Sequence, residues 1–225
     1  MNKTRLYKQK GLGTLNPSPF CYSSFSELLY NQKMNPTKLE TERLIVRPFI
    51  AEDLQTIHRI LDQTFGDGTR VADETALQER KSWLTWSMLN QEWFPKMEQT
   101  RYGDRAIVLK GTDQVIGSVG FVPLNDVYWQ IPELGIAARG YTTPEVGLFW
   151  VIDPAHQKQG YATEAAQVMI DHAFKDWRLA RILATTDYSN VASQGVMKKL
   201  GMKLTRNSLP EPHWLQVVGV LENTG

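Results

Sequence analysis

The stretch that decides the fold is DPAHQKQGYATEA, residues 153–165. It follows an apolar run at 146–152, which predicts a strand buried on both faces, and residues 162–174 have the apolar spacing of an amphipathic helix. Gly160 lets the backbone approach a ligand closely, and the first helical turn presents N–H groups and the positive end of the helix dipole. This arrangement favours a pyrophosphate site, although a simple tight turn would show the same pattern.

The segments on either side extend this pattern into an α/β (α+β) domain. Because 146–152, 162–174 and 181–186 read as strand, helix and strand, we expect a parallel pair joined by a right-handed crossover. The connection at 123–144 is unusually long, and we expect it to act as a lid that narrows a cleft. The remaining predicted strands are 44–49, 105–110, 115–122 and 215–221, and the remaining predicted helices are 51–65, 73–93 and 191–200.

Composition excludes several classes of protein. The chain has 225 residues and a net charge of +1, so a whole-chain electrostatic case for nucleic acid is weak. Cys21 is the only cysteine, which rules out an intramolecular disulfide and multi-cysteine zinc sites, and we expect no metal. No apolar run approaches about 18 residues, so we expect no membrane span.

We expect one domain at residues 38–225, preceded by an N-terminal extension at residues 1–37. The extension is basic and poor in acids, which fits a flexible tail, a segment upstream of Met34, or an organelle transit peptide. Without a secretory signal in it, we expect a cytoplasmic protein.

Four motifs in order resemble one known family. QKQGYA at 157–162 resembles the Q/R-x-x-G-x-G/A signature of the GNAT (Gcn5-related) N-acetyltransferases. GYATEA at 160–165 and TERLIVRP at 41–48 are similar to the helix opening and the entry strand of the RimJ/RimL-type branch. Asn190-x-x-Ser193 followed by KLGM at 199–202 is similar to a further motif of that branch. The resemblance covers residues 39–220, whereas the P-loop, dinucleotide-binding and nucleophile-elbow motifs are absent from the sequence.

This resemblance implies a GNAT fold, in which a mixed central sheet with splayed parallel strands is flanked by helices. Acetyl-CoA, as co-substrate, would lie in the opening between 146–152 and 181–186. Asn190 could serve the cofactor, cap the following helix, or do both. The implied cofactor-binding residues are Trp150, Val151, Ile152, Gln157, Lys158, Gln159, Gly160, Tyr161, Ala162, Thr163, Asn190 and Ser193.

The implied reaction is acetyl transfer by direct attack of a primary amine on the thioester. Glu145 is the candidate base, because the histone-acetylating branch has a glutamate at the start of this strand. Its register differs by about one residue, which would turn the side chain to the other face unless a bulge absorbs the shift. The alternative is a solvated glutamate at a strand end. Met197 stands where the family often has an acidic tyrosine, so no general acid is assigned.

Aromatic residues mark the predicted acceptor pocket. Trp83, Trp86 and Trp93 follow helical spacing, and such a stripe is also typical of ordinary core packing. We expect a small-molecule amine as acceptor, no nucleic-acid or membrane partner, and a monomer or homodimer. The alternatives are protein N-terminal acetylation, a GNAT scaffold repurposed for decarboxylation or condensation, and a non-catalytic acyl-CoA-binding module. The predicted substrate-binding residues are Trp86, Trp93, Tyr128 and Trp129.

Overall fold

The computed structural model describes residues 38–66, 68–97, 99–136 and 139–225, so the predicted extension at 1–37 lies outside the described residues. One eight-stranded sheet forms the centre of the molecule. Its strands are β1 (Leu39–Glu40), β2 (Leu44–Arg47), β3 (Gly103–Leu109), β4 (Gln114–Asp126), β5 (Thr143–Ile152), β6 (Arg181–Thr186), β7 (Lys203–Arg206) and β8 (Val217–Glu222). Four α-helices accompany it: α1 (Leu54–Phe65), α2 (Glu74–Lys96), α3 (Tyr161–Lys175) and α4 (Val191–Lys199).

Helix ends follow from residues that the sequence places at them. The Asp73 carboxylate caps α2 by accepting the backbone N–H of Thr75 at 2.8 Å. The Asn190 amide oxygen caps α4 by accepting the N–H of Ser193 at 3.0 Å. Gly201, with φ +77°, takes the left-handed conformation just after α4 that favours glycine. The predicted helices are therefore confirmed, with α2 extending a few residues beyond the expected end.

Strand order in the sheet is β1-β2-β3-β4-β5-β6-β8-β7. Every adjacent pair is antiparallel except β5 and β6, which are parallel. These two strands share a single bridge, between Gly147 and Leu183, and are not paired beyond it. The sheet therefore opens as a V toward the carboxyl ends of β5 and β6, which confirms the predicted mixed sheet with splayed parallel strands.

Apolar clusters cover both faces of the sheet. The largest contains Leu148, Ile152 and the inner residues of α3, among them Ala165, Met169 and Ile170. On the opposite face α1 and α2 pack over β2 to β5. A third cluster, on that same face, joins the connection after β4 to β6 and β8. None of the α-helices in the described ranges is both long and apolar enough to cross a membrane.

The connection after β4 differs from the sequence-based expectation. β4 runs on to Asp126 and β5 begins at Thr143, so residues 123–126 and 143–145 belong to the sheet. Tyr128, Ile131 and Leu134 are buried against β6 and β8. Residues 128–134 of the expected lid therefore form a packed cover, because their apolar side chains are held in the core, whereas Tyr141 farther along the connection is 72% exposed. β7 was not predicted, since its LTR run lacks a clear apolar alternation.

Candidate active site

Strand β5 ends at a buried carboxylate that fixes the direction of the following loop. Asp153 accepts the backbone N–H of Ala155 at 3.0 Å and the Nη2 of Arg59 at 2.6 Å. Burial tends to raise the pKa of Asp153, but these hydrogen bonds outweigh it and lower the pKa below its usual value. The ionised carboxylate therefore ties the strand end to α1.

Every residue of the loop at 157–160 is exposed to solvent. Lys158 and Gly160 have φ values of +61° and +85°, so two of its residues are in the left-handed region. The N–H of Glu164 makes the first intrahelical bond of α3, to the carbonyl of Gly160 at 3.0 Å. The preceding N–H groups, at 161–163, have no acceptor within the helix and form a concentrated donor site.

The V opening, the exposed loop and the cap of α4 share one edge of the sheet. α3 follows β5 through the loop and α4 follows β6 through the turn at 187–190, and parallel strands place both helix N-termini at the same edge. The predicted cofactor-binding residues on β5, in the loop and around Asn190 are therefore brought to one region.

The side chains of several predicted cofactor-binding residues point away from this shared region. Gln157 donates from Nε2 to the carbonyl of Ile152 at 3.0 Å, which closes the loop. Val151, Ile152 and Tyr161 have buried side chains in the apolar clusters, and Trp150 is half-buried against the α3 face. Their contribution to a ligand site is consequently made by backbone groups.

At the opposite end of β5, Glu145 forms a two-pronged ion pair with Arg181 at the start of β6. Arg181 Nε donates to one carboxylate oxygen at 2.9 Å and Nη2 donates to the other. The Glu145 side chain is 9% exposed, so it is not a solvated strand-end glutamate. The hydrogen bond with Glu145 raises the pKa of Arg181 above its usual value.

Arg181 is the residue that sequence reasoning missed. The parallel bridge between Gly147 and Leu183 places positions 145 and 181 side by side, since each lies two residues earlier. The signal was therefore available as opposite charges at the starts of two predicted parallel strands. β4 and β5 pair without interruption over ten residue pairs, so no bulge shifts the register of Glu145 against β4.

The predicted acceptor residues separate into exposed and buried groups. Trp86 and Trp93 are 55% and 51% exposed on the outer face of α2, whereas Trp83 packs edge-on against Phe49. Tyr128 is fully buried, and no hydroxyl partner is found for it among the described residues. Burial, with the charges of Asp126 and Glu145 nearby, raises the pKa of Tyr128. The three tryptophans therefore do not form one buried stripe.

Met197, Tyr188 and His172 are engaged in the structure. Met197 is fully buried, and the Tyr188 hydroxyl donates to the carbonyl of Asn207. His172 contacts the Asp176 carboxylate at 2.6 Å, and burial lowers its pKa. Within residues 38–225, apart from the four undescribed positions, no group of histidine, cysteine and acidic side chains could hold a metal ion.

Comparison with known proteins shows one family. A family model described as an acetyltransferase (GNAT) domain matches residues 43–203. YnaD of Bacillus subtilis (strain 168), an uncharacterized N-acetyltransferase, is 28% identical over 169 residues, which are 73% of this chain and 82% of YnaD.

Solved structures share the fold. An acetyltransferase from Agrobacterium tumefaciens str. C58 has a TM-score of 0.58 at 23% identity, covering 82% of this chain and 94% of that chain. RimJ of Mycobacterium smegmatis, in complex with CoA-disulfide, has a TM-score of 0.53 at 17% identity, covering 80% of this chain and 81% of that chain. At these identities the likeness is one of fold, and it agrees with the resemblance to the RimJ/RimL branch.

Proposed function

The chain belongs to the GNAT acetyltransferase family, and we propose that it moves the acetyl group of acetyl-CoA to the primary amine of a small molecule. GNAT acetyltransferases are acyltransferase enzymes that use acetyl-CoA. One observation is the main support for placing acetyl-CoA at this site. The exposed loop with left-handed Lys158 and Gly160 leads into α3 at the point where β5 and β6 separate.

In the proposed complex, the pyrophosphate accepts hydrogen bonds from backbone N–H groups at 158–163. The pantetheine lies beside β5 at 150–152, where the strand has no pairing to β6. Asn190 and Ser193 border the cofactor at the start of α4. Acetyl-CoA supplies the activated acyl group, and a backbone N–H on the splayed part of β5 donates to the thioester oxygen.

We assign the role of base to Glu145. Because β4 and β5 pair without a bulge, its side chain lies on the opposite face from the one that the register of the histone-acetylating branch implies, so this role requires the amine to approach from that face. Its carboxylate has about four lone-pair sites, and two donors from Arg181 leave others for a proton from the amine. Arg181 holds the carboxylate in one orientation, which general base catalysis requires. Tyr128 and Trp129 lie in the packed cover after β4, close along the chain to the start of β5. We assign Trp129 to the acceptor side, whereas Tyr128, which is fully buried, contributes to that side only through packing.

A protein N-terminus is the second candidate acceptor. Trp86 and Trp93 expose about half of their surface on α2, where an extended peptide could contact them. One structural neighbour is a ribosomal L7/L12 alpha-N-protein acetyltransferase, at 12% identity and a TM-score of 0.53.

Calorimetric titration with acetyl-CoA, followed by thiol release with a panel of small amines and N-terminal peptides, tests the proposal. We expect micromolar acetyl-CoA binding and thiol release with a small amine. Turnover with peptides alone would transfer the assignment to N-terminal acetylation. Cofactor binding without release for any amine would favour the repurposed scaffold or the binding module, and no binding by a folded sample would contradict the proposed site.

A further inference from the structure

The turn between β1 and β2 is attached to the start of α3 by one arginine. Arg43 donates from Nε to Glu164 Oε2 at 2.7 Å and from its backbone N–H to Glu164 Oε1 at 3.0 Å. Nη1 of the same guanidinium donates to the carbonyl of Gln159 at 3.1 Å. Arg43 thus contacts the loop and the helix at once, although it is more than 110 residues away in sequence.

The same guanidinium also covers an aromatic ring. The Arg43 Cζ lies 4.5 Å from the ring centroid of Tyr161, the first residue of α3. Tyr161 is itself packed into the main apolar cluster. The Arg43 guanidinium therefore contacts Gln159 in the loop and both Tyr161 and Glu164 in the first turn of α3, and it restrains all three.

Glu164 receives one further bond from the turn. The Thr41 hydroxyl donates to Glu164 Oε1 at 2.5 Å and accepts the N–H of Leu44 at 2.9 Å. Burial raises the pKa of Glu164, but the bonds from Thr41 and Arg43 outweigh it and lower the pKa below its usual value. The carboxylate is consequently ionised and fully engaged by the turn.

The loop needs such support because its backbone is unfavourable by itself. Lys158 adopts φ +61° without being glycine, a conformation that L-residues rarely take. A residue with a side chain keeps this rare backbone conformation only when contacts with the surrounding structure hold it there. Among the described residues, Arg43 donates a hydrogen bond to this loop from a distant part of the chain, so we regard it as the loop's long-range support.

Charge gives a second reason. Glu164 lies in the first turn of α3, where its negative charge would repel a pyrophosphate held by the preceding N–H groups. Arg43 pairs with that carboxylate at 2.5 Å and neutralises it. A bare Glu164 would therefore oppose the ligand that the loop is shaped to accept.

We infer that Arg43 is a positioning residue, which holds the loop at 157–160 and the first turn of α3 in the arrangement that binds acetyl-CoA. The inference rests on the proposed function, in that acetyl-CoA is the ligand of this loop. Arg43 acts through the Gln159 carbonyl and the Glu164 carboxylate. A lysine would keep the positive charge, but it lacks the planar guanidinium that lets Arg43 donate to the Gln159 carbonyl and the Glu164 carboxylate at the same time.

The test combines binding with hydrogen exchange in the full chain. For Arg43→Ala we expect the Kd for acetyl-CoA to rise at least about 10-fold, and exchange of the 164–166 amides to quicken at least about fivefold without ligand. Arg43→Lys should recover less than half of the lost affinity on a logarithmic scale. Glu164→Gln in the Arg43→Ala background should recover part of it, because the unpaired charge is then removed.

Arg70→Ala is the matched control, since Arg70 forms an exposed ion pair with Glu79 of α2. It should change neither the Kd nor the exchange at 164–166. Full recovery by Arg43→Lys would overturn the inference in favour of a simple charge contact, and unchanged exchange in Arg43→Ala would overturn it outright. If the wild-type chain does not bind acetyl-CoA, the proposed function fails, while the exchange experiment still decides the role of Arg43.

Discussion

At its carboxyl end, strand β5 leads into a loop of exposed residues, whereas at its amino end it presents a carboxylate that is almost fully covered. The loop obtains its chemistry from N–H groups and left-handed residues, with side chains used as supports. The other end consists of side chains, namely the pair of Glu145 and Arg181 beside the buried Tyr128. One end of the strand is therefore sensitive to backbone conformation and the other to the removal of single charges.

The largest effect should come from separating the buried pair. Arg181→Met leaves the Glu145 carboxylate, which is 9% exposed, without its cation. We expect the free energy of unfolding to fall by about 3 kcal/mol, measured by urea denaturation at pH 7. The double variant with Glu145→Gln should regain most of this loss, because no charge is then left unpaired. A single-variant loss below about 0.5 kcal/mol would mean that water already solvates the pair.

Gly160→Val tests the backbone end. A β-branched residue disfavours φ +85°, so the loop should change conformation and the Kd for acetyl-CoA should rise about 30-fold, equivalent to about 2 kcal/mol. Gly201→Val is the matched control, since Gly201 has φ +77° but follows α4. Gly201→Val should lower the free energy of unfolding about as much as Gly160→Val does, and it should leave the Kd for acetyl-CoA unchanged. Equal effects of both variants on the Kd would show that strain acts through the whole fold.

The two ends of β5 were not equally predictable from the sequence. The strand, loop and helix on the carboxyl side could be predicted because their requirement is local: a glycine between a strand and a helix sets the geometry within 13 residues. The cofactor-binding residues there were implied by the family resemblance and stay a prediction. The pairing of Glu145 with Arg181 depends on the register between two strands, with the paired residues 36 apart in sequence. Their opposite charges point to the pair, but composition and periodicity do not fix the register. Burial of Tyr128 likewise depends on a distant part of the sequence, because β8 contributes Val218 and Val220 to the third apolar cluster.

Two buried or half-buried carboxylates should respond to pH with opposite signs. The pKa of Asp153, at the end of β5, is lowered mainly by Arg59 against the effect of burial, so its contribution is present above about pH 4 and lost on acidification. Asp153→Asn should cost about 1–2 kcal/mol at pH 7, and this cost should shrink as the pH falls below about 4.

Asp104 on β3 provides the contrast. Burial raises its pKa from 3.8 to about 6, so stability falls as the pH rises from 3.8 to 6. Asp104→Asn should therefore add about 1–2 kcal/mol at pH 8 and nothing at pH 4, in thermal unfolding across this range. Parallel pH profiles for the two variants would contradict both assignments.

The smallest effect should come from Tyr128→Phe. Its hydroxyl is buried and has no partner among the described residues, so removing it should raise the free energy of unfolding by about 1 kcal/mol. Chemical denaturation of the ligand-free protein measures this. A loss of stability would show that the hydroxyl is hydrogen-bonded, which would make the amino end of β5 more polar than described.

The single bridge between Gly147 and Leu183 bears on the resistance of the protein to proteolysis. In the proposed complex, acetyl-CoA would make contacts along this seam that a neighbouring strand would otherwise make, so a metabolite would complete the sheet. Binding to the folded state alone stabilises it in proportion to the logarithm of ligand concentration. A protease would then cleave the chain more slowly as acetyl-CoA accumulates, and the amount of protein would follow the supply of its own co-substrate.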